Sequence, residues 1–280
     1  MTDSPLPYRV PFKRRAAGKS GQKPSADPKT LNDEALMAAL HKTALASDLF
    51  ERSAAQGTCP YEVNGHVVLA DAEGVVYWPV TRTLIVADLH LEKGSSFARR
   101  GQLLPPYDTM TTLKRLSSCI ETWMPERVIA LGDSFHDREA SARLPLPAID
   151  MLQKLIAGRD WIWITGNHDP EPPQGLGGSV LGELREQGLI FRHEPQAEDA
   201  VGEFAGHLHP KARIVRRSRH VRRSCFAANK SRMILPSFGA YTGGLNVLDK
   251  AFDNLFEARD FHALMLGDGQ VYQIAGSDLR

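Results

Sequence analysis

The stretch VIALGDSFHD, at residues 128–137, decides the fold, because an apolar run leads directly into a cluster of polar side chains. Two similar apolar runs occupy residues 84–87 (LIVA) and 161–164 (WIWI). Uninterrupted runs of this length are typical of strands that are covered on both faces of a sheet. Residues 107–123 have the pattern of a helix between two of these strands, and mixed β structure is predicted beyond about residue 200. The sequence therefore predicts an α/β fold.

Polar residues follow each predicted strand at its carboxyl end, where the loops of an open α/β sheet converge on one crevice. A fourth polar block follows the apolar stretch that ends at Ala205. The four blocks are Asp88-Leu89-His90, Gly132-Asp133-Ser134-Phe135-His136-Asp137, Gly166-Asn167-His168-Asp169 and Gly206-His207-Leu208-His209.

The residue types in these blocks favour cation binding. Asp88 and His90 are two residues apart, so in an extended segment both side chains point the same way, and the fourth block repeats this spacing. The two oxygens of Asp133 could bridge two metals, while the amide oxygen of Asn167 adds a neutral ligand. Glycine before three of the ligands removes a Cβ where the chain approaches an ion. A single motif of this kind often arises by chance among ordinary structural residues, but the four together indicate a metal site.

Composition restricts the possible partners and compartments. The chain has 280 residues and a net charge of +1, so any affinity for a polyanion must be local. The three cysteines, Cys59, Cys119 and Cys225, form no CxxC pair, which argues against a disulfide framework and a thiolate zinc site and favours a reducing cytoplasm. No apolar run approaches the roughly 20 residues that a membrane-spanning helix requires, and the start lacks the hydrophobic segment of a signal peptide. We expect a soluble, cytoplasmic protein with no membrane partner.

The composition also changes along the chain. Residues 1–30 are rich in Pro, Ser, Gly, Lys and Arg and are predicted to be a disordered basic tail. Residues 31–60 follow the start of a capping pattern at Thr30 and have leucines at helical spacing, which predicts a helical extension. Residues 61–280 are predicted to form the main domain.

In this order the four blocks resemble the signature of the calcineurin-like metallophosphoesterases: D-x-H, G-D-x-x-H/D, G-N-H-D/E and G-H-x-H. The resemblance implies a sandwich of two mixed β-sheets flanked by helices, with two divalent metal ions at the carboxyl ends of the strands. It also implies a lone histidine ligand between the third and fourth blocks, where His193 is the only histidine. By this resemblance one metal is held by Asp88, His90, Asp133 and His209, and the other by Asp133, Asn167, His193 and His207.

The same resemblance implies catalytic roles for three further residues. His168 stabilises or protonates the leaving oxygen, with Asp169 as its orienting partner. His136 occupies the last position of G-D-x-x-H. A histidine at this position resembles the nuclease branch of the superfamily, whereas the phosphoprotein phosphatases carry aspartate there.

A narrower resemblance covers residues 61–253. The segments VADLHLEKGSSFARRGQLLPPYDTMTTLKRL (residues 86–116) and LPSFGAYTGGLNV (residues 235–247) are similar to the ligase-associated DNA-damage-response metallophosphoesterases of bacteria. That family implies a manganese-dependent endonuclease for single-stranded DNA in repair, encoded beside a DNA ligase and a helicase. Histidine and carboxylate ligands without thiolate also favour Mn²⁺, with Fe, Co or Zn as substitutes.

Three regions offer candidate contacts to DNA. The segment KARIVRRSRHVRR (residues 211–223) follows the last metal-binding block and is either a phosphate-binding strip or a solvated hairpin. Two arginines lie on the segment after His90, and a tyrosine in the glycine-rich segment either stacks on a base or lies in a turn between core strands. The candidate substrate-binding residues are Arg99, Arg100, Arg213, Arg216, Arg217 and Tyr241.

Two other functions fit the same blocks. A phosphatase for small molecules or phosphoproteins uses the same metal centre, because the blocks specify phosphate chemistry and not the leaving group. A non-catalytic DNA-binding repair partner would keep the metal for structure alone, although the intact His168 argues against that role.

Overall fold

The computed structural model describes residues 57–169, 175–198, 200–216, 219–257 and 259–280. All of them belong to one compact unit, residues 48–280. The predicted basic tail, residues 1–30, and most of the predicted helical extension lie outside the described residues. The first strand begins at Thr58, so residues 58–60, which we assign from the sequence to the extension, are part of the first sheet.

The first sheet contains seven strands in the order in which they occur along the chain. The strands are β1 (Thr58–Val63), β2 (His66–Asp71), β3 (Val76–Trp78), β4 (Thr83–Val86), β5 (Arg127–Leu131), β6 (Asp160–Ile164) and β7 (Ser179–Leu181). Strands β1 to β4 pair antiparallel, and β4 to β7 pair parallel. The three predicted strands are therefore adjacent and parallel, and their carboxyl ends meet at one edge of the sheet.

The second sheet is also mixed and has the order β15-β14-β12-β13-β10-β9-β8, with β11 paired to β12. Its strands are β8 (Glu183–Glu186), β9 (Leu189–Arg192), β10 (Glu203–Ala205), β11 (Lys211–Arg216), β12 (Arg219–Ala228), β13 (Arg232–Ile234), β14 (His262–Gly267) and β15 (Gln270–Ala275). Strand β10 lies between β9 and β13 and pairs parallel with both. The mixed β structure predicted for the second half of the chain is confirmed.

Helices cover the outer face of the first sheet. They are α1 (Lys93–Arg99), α2 (Asp108–Trp123), α3 (Ala140–Arg143) and α4 (Leu146–Ile156), with short 3-10 turns at Pro79–Thr81, Lys250–Phe252 and Gly276–Asp278. Helix α2 confirms the helix predicted at residues 107–123. Among the described residues no helix has both the length and the apolar character needed to span a bilayer.

The core explains why the central strands are apolar at every position after the first residue. In β4, Leu84 and Val86 belong to the cluster that includes Leu116 of α2. Ile85, between them, belongs to a second cluster that includes Phe204 of the other sheet. Because side chains alternate across a strand, each face of β4 has its own buried partner, and the strand carries no polar face.

Candidate metal centre

Three side chains form a first group of possible metal ligands. The ligand atoms of Asp88, His90 and His209 all lie within 4.8 Å of one another. His209 Nε2 is 3.3 Å from Asp88 Oδ1 and 3.2 Å from His90 Nε2. Asp88 and His90 follow β4 of the first sheet, whereas His209 lies between β10 and β11 of the second sheet. The group therefore joins parts of the chain that are about 120 positions apart.

A second group lies beside the first and consists of Asp133, His193 and His207. His193 Nε2 is 3.4 Å from Asp133 Oδ2 and 3.2 Å from His207 Nδ1. The amide oxygen of Asn167 is 2.9 Å from His193 Nε2 and 3.0 Å from His207 Nδ1. All seven residues that the sequence predicts as metal ligands are thus in these two groups or touch them.

The two groups share a boundary at the buried carboxylate of Asp88. Both of its oxygens accept the backbone N–H of His207, at 3.2 and 3.0 Å, and His193 Nδ1 is 3.8 Å from Oδ1. His207 and His193 belong to the second group, so the two groups adjoin each other and are together called the metal pocket below.

Five of the ligand residues have a backbone conformation that residues other than glycine rarely adopt. Asp88, His90, Asp133, His207 and His209 have φ angles between 44° and 68°. The D-x-H and H-x-H segments are therefore not extended, and the prediction of an extended geometry is wrong, although the side chains do converge. Such conformations cost about 1–3 kcal/mol each and cluster at functional sites. A backbone hydrogen bond from the N–H of His90 to the carbonyl of Asp133, at 2.9 Å, helps to hold them.

Two glycines make room for the carboxylates. A Cβ on Gly166 would lie 2.2 Å from Asp133 Oδ1, and a Cβ on Gly206 would lie 2.6 Å from Asp88 Oδ2. Neither glycine has a positive φ, so space and not backbone freedom excludes a side chain. The prediction that glycine lets the chain approach a ligand is confirmed at both positions.

The electrostatics of the pocket favour a positive charge between Asp88 and Asp133. Burial by itself lowers the pKa of His193, but the hydrogen bond to Asp133 and the charge of Asp88 outweigh it and raise that pKa to about 9. Burial likewise opposes ionisation of Asp133, yet the contact with His193 lowers its pKa to about 2. In the first group, burial and the neighbouring His209 lower the pKa of His90 to about 2, so its imidazole is neutral.

These properties fit divalent cations. The donors are imidazole nitrogens, carboxylate oxygens and one amide oxygen, a set that suits Mn, Fe, Co or Zn. Neutral imidazole is the form that binds metals, and buried carboxylates require a nearby positive charge. The residues present could therefore hold one ion in each group.

The predicted catalytic histidine lies at the rim of the pocket. His168 Nδ1 is 2.9 Å from the carbonyl oxygen of His136, and His168 Nε2 is 3.9 Å from Asp133 Oδ2. The ring of His136 stacks on that of His168 with centroids 5.4 Å apart. Burial, followed by the charge of Lys93, lowers the pKa of His136 to about 4.

The predicted role of Asp169 as the orienting partner of His168 is wrong. Asp169 accepts hydrogen bonds from the backbone N–H groups of Phe135 and Gly166, at 3.1 and 3.2 Å. Burial, and then the charge of Asp133, raises the pKa of Asp169 to about 7. These two N–H groups belong to the loops after β5 and β6, and the buried carboxyl satisfies both of them. The carbonyl of His136 holds the ring of His168 instead.

A basic pocket borders His136. It has a volume of about 460 Å³ and is lined by Ser96, Arg99, Arg100, Asp137, Arg138 and Glu139. Arg99 pairs with Glu139, and Asp137 pairs with Arg143 at 2.7 Å. Arg100 and Arg138 have no carboxylate partner within the part of the chain that the structure describes. Arg138 was not among the sequence candidates, although its position directly after His136-Asp137 was a usable signal.

The basic segment forms the β11–β12 hairpin, which starts two residues after His209. Arg213 lies directly opposite Arg222, an arrangement of like charges that is unfavourable without a counter-charge. Arg213 Nε donates to the backbone oxygen of Arg280, the last residue of the sequence, at 3.2 Å, and Arg222 Nη2 donates to the carbonyl of Gly244 at 2.9 Å. Neither arginine pairs with an Asp or Glu side chain among the described residues. Arg222 was missed because the sequence alone does not fix the strand register.

The remaining sequence candidates lie on this hairpin and on the loop after β13. Arg216 ends β11, and Arg217 lies outside the described residues. Tyr241 lies in the loop between β13 and β14 and is 47% exposed.

A two-sheet sandwich with two adjoining His/Asp groups at the strand ends defines a binuclear metallohydrolase. The model of the calcineurin-like phosphoesterase family matches residues 81–230, more than half of the chain. The chain belongs to this family and is a metal-dependent phosphoesterase.

The chain is similar to the crystal structure of Pseudomonas putida nuclease MPE, with a TM-score of 0.61 and 29% identity over 78% of this chain and 100% of that one. Yfce, a phosphoesterase from E. coli, has a TM-score of 0.35 and 14% identity over 69% of this chain and 98% of that one. No curated protein matches the sequence.

We expect Gly166→Ala to weaken metal binding by about 10- to 100-fold, the range seen when groups that orient metal ligands are lost. The new Cβ would displace Asp133, whose Oδ1 is 2.2 Å from that position. Titration of metal-stripped protein with Mn²⁺ in a calorimeter measures the change. Gly182→Ala is the matched control, because its Cβ would meet its nearest atom only at 4.0 Å. Equal affinity in both variants would contradict the assignment.

Proposed function

We propose that the chain is a cytoplasmic DNA endonuclease that uses metal ions to cut single-stranded DNA during repair. The observation that carries the proposal is its similarity to the Pseudomonas putida nuclease over the whole length of that chain. The resemblance of residues 61–253 to the ligase-associated family supports single-stranded DNA as the substrate, Mn²⁺ as the metal, and a functional association with a DNA ligase and a helicase.

In this proposal each of the two groups holds one metal ion. When bound, two divalent cations supply Lewis-acid catalysis for hydrolysis of a phosphodiester. Asp88, His90 and His209 would hold one, and His193, His207 and Asn167 would hold the other, with Asp133 between them. The pocket is open at the side of His168, whose side chain is 42% exposed, so a DNA strand can approach there.

In this proposal His168 protonates the leaving oxygen. Because the carbonyl of His136 can only accept a hydrogen bond, His168 must donate through Nδ1. This contact fixes the ring and leaves Nε2, the nitrogen nearer to Asp133, free to act on the substrate. The imidazolium form would give its Nε2 proton to the leaving oxygen and become the neutral ring that keeps its Nδ1 proton, which is the task of a general acid.

Two basic surfaces support a polymeric substrate. The pocket beside His136 contains Arg100 and Arg138, and the β11–β12 hairpin carries Arg213 and Arg222 beyond His209. Arg100, Arg138 and Arg222 have no acidic partner among the described residues, and such arginines are suited to phosphates. Basic groups both next to His136 and beyond His209 fit a substrate with several phosphates better than they fit a phosphate monoester.

We expect His168→Ala to keep its metals and to lose about 10²- to 10⁴-fold in turnover on DNA, the usual contribution of a general acid. The loss should be much smaller on bis(p-nitrophenyl) phosphate, whose leaving group needs no proton. Turnover on both substrates and metal content by mass spectrometry provide the readouts. His66→Ala, a histidine bonded to the carbonyl of Gln187, is the control. Loss of metal from His168→Ala would mean that His168 is a ligand.

The overall proposal is tested with circular single-stranded DNA and EDTA-stripped protein. We expect no cutting without metal, conversion to linear products with Mn²⁺, and less activity with Mg²⁺ or Zn²⁺. Only an endonuclease can open a circle, and Asp133→Asn shows whether the activity belongs to this chain. Release of phosphate from monoesters without cutting would favour the phosphatase alternative. Binding of DNA without cutting in the presence of any of these metals would favour the non-catalytic partner.

A further inference from the structure

The loop from Phe238 to Gly244, called the tyrosine loop below, is fixed to the first metal group at both of its ends. The N–H of Gly239 donates to the carbonyl of Asp88 at 3.0 Å. A Cβ on Gly244 would lie 2.3 Å from the carbonyl oxygen of His209, so the loop also packs directly on that ligand. Asp88 and His209 are both members of the first group. The loop therefore borders the pocket on that side.

Further contacts make the tyrosine loop rigid. The N–H of Ala240 donates to Thr112 Oγ1 of α2 at 3.0 Å, and Thr242 Oγ1 donates to the carbonyl of Gly239 at 2.8 Å. Arg222 Nη2 donates to the carbonyl of Gly244, which joins the loop to the basic hairpin. The residue between these attachments is Tyr241.

Tyr241 has a conformation that favours glycine. Its φ is +61°, and a bulky side chain in this region is a genuine outlier. The loop already uses glycine at positions 239, 243 and 244, so a glycine here would relieve the strain. The aromatic side chain is nevertheless 47% exposed, and its hydroxyl makes no hydrogen bond to any described residue. No hydrogen bond of its hydroxyl to a described residue accounts for a tyrosine at this strained, half-exposed position.

We infer that Tyr241 is a stacking platform for a DNA base next to the cut, an inference that rests on the proposed function. Tyr241 carries an exposed ring on a loop that contacts the backbone of Asp88 and His209, and the adjoining Arg222 can bind a phosphate of the same strand. Every base has an aromatic face, so stacking selects single-stranded nucleic acid without selecting sequence. The bases of a duplex are already stacked and cannot use this platform.

The test compares a fluorescent single-stranded oligonucleotide with an abasic oligonucleotide of the same length, whose phosphates are unchanged. Affinities are measured by fluorescence anisotropy with metal-stripped protein, so that binding is separated from cutting. We expect the wild-type protein to prefer the base-bearing strand, and Tyr241→Ala to reduce this preference by about 5- to 100-fold. Tyr241→Phe should keep it.

Two further variants control for folding and for loss of a surface ring. Tyr272→Ala removes an equally exposed tyrosine, at 48%, from strand β15 and should leave the preference unchanged. Tyr241→Gly should lose the preference while its melting temperature equals or exceeds that of the wild type, because the strain is relieved.

Several results would overturn the inference. These are a wild-type protein that binds both strands equally, a Tyr241→Ala variant that keeps the preference, or a Tyr241→Phe variant that loses it as Tyr241→Ala does. A lower melting temperature for Tyr241→Gly would make Tyr241 a structural residue. Failure of the wild-type protein to open circular DNA bears on the proposed function alone, since binding is measured separately.

Discussion

Burial of two carboxylates, Asp88 and Asp133, is the constraint on which the pocket depends. They are 0% and 2% exposed, and a buried negative charge is costly unless a positive charge lies beside it. In the protein alone, His193 supplies that charge, because its pKa is raised by both carboxylates. Divalent cations would supply it more fully, and the imidazole nitrogens of both groups converge on the same space as further ligands. The pocket is arranged for cations before any cation is bound.

Each metal group draws ligands from both sheets, which ties the chemistry to the fold. Asp88, Asp133 and Asn167 follow β4, β5 and β6, whereas His193 and His207 follow β9 and β10. The two sheets pack through one shared apolar cluster, which sets the distance between their strand ends. Metal binding should therefore join the two sheets and stabilise the sandwich as a whole. The strained backbone at the ligands is tolerated because this packing holds it in place.

Much of this arrangement can be predicted from the sequence, for identifiable reasons. Strands β4 to β6 are predicted because each is apolar on both faces, and the metal residues are predicted because they follow those strands directly. Backbone detail is not predicted: left-handed φ angles at Asp88 and His209 depend on hydrogen bonds and packing from distant segments. For the same reason the partner of His168 is the carbonyl of His136 and not the adjacent Asp169. Arg213 lies opposite Arg222 because of the register of β11 and β12, and this register cannot be predicted from the composition of the segment.

Anomalous diffraction from crystals grown with Mn²⁺ tests the central claim most directly. The account predicts two manganese peaks about 3.5–4 Å apart, the usual separation in two-metal sites. One peak should lie among Asp88, His90 and His209, and the other among His193, His207 and Asn167, with Asp133 touching both. A single peak, or an Asp133 side chain that faces solvent with no ion beside it, would contradict the account.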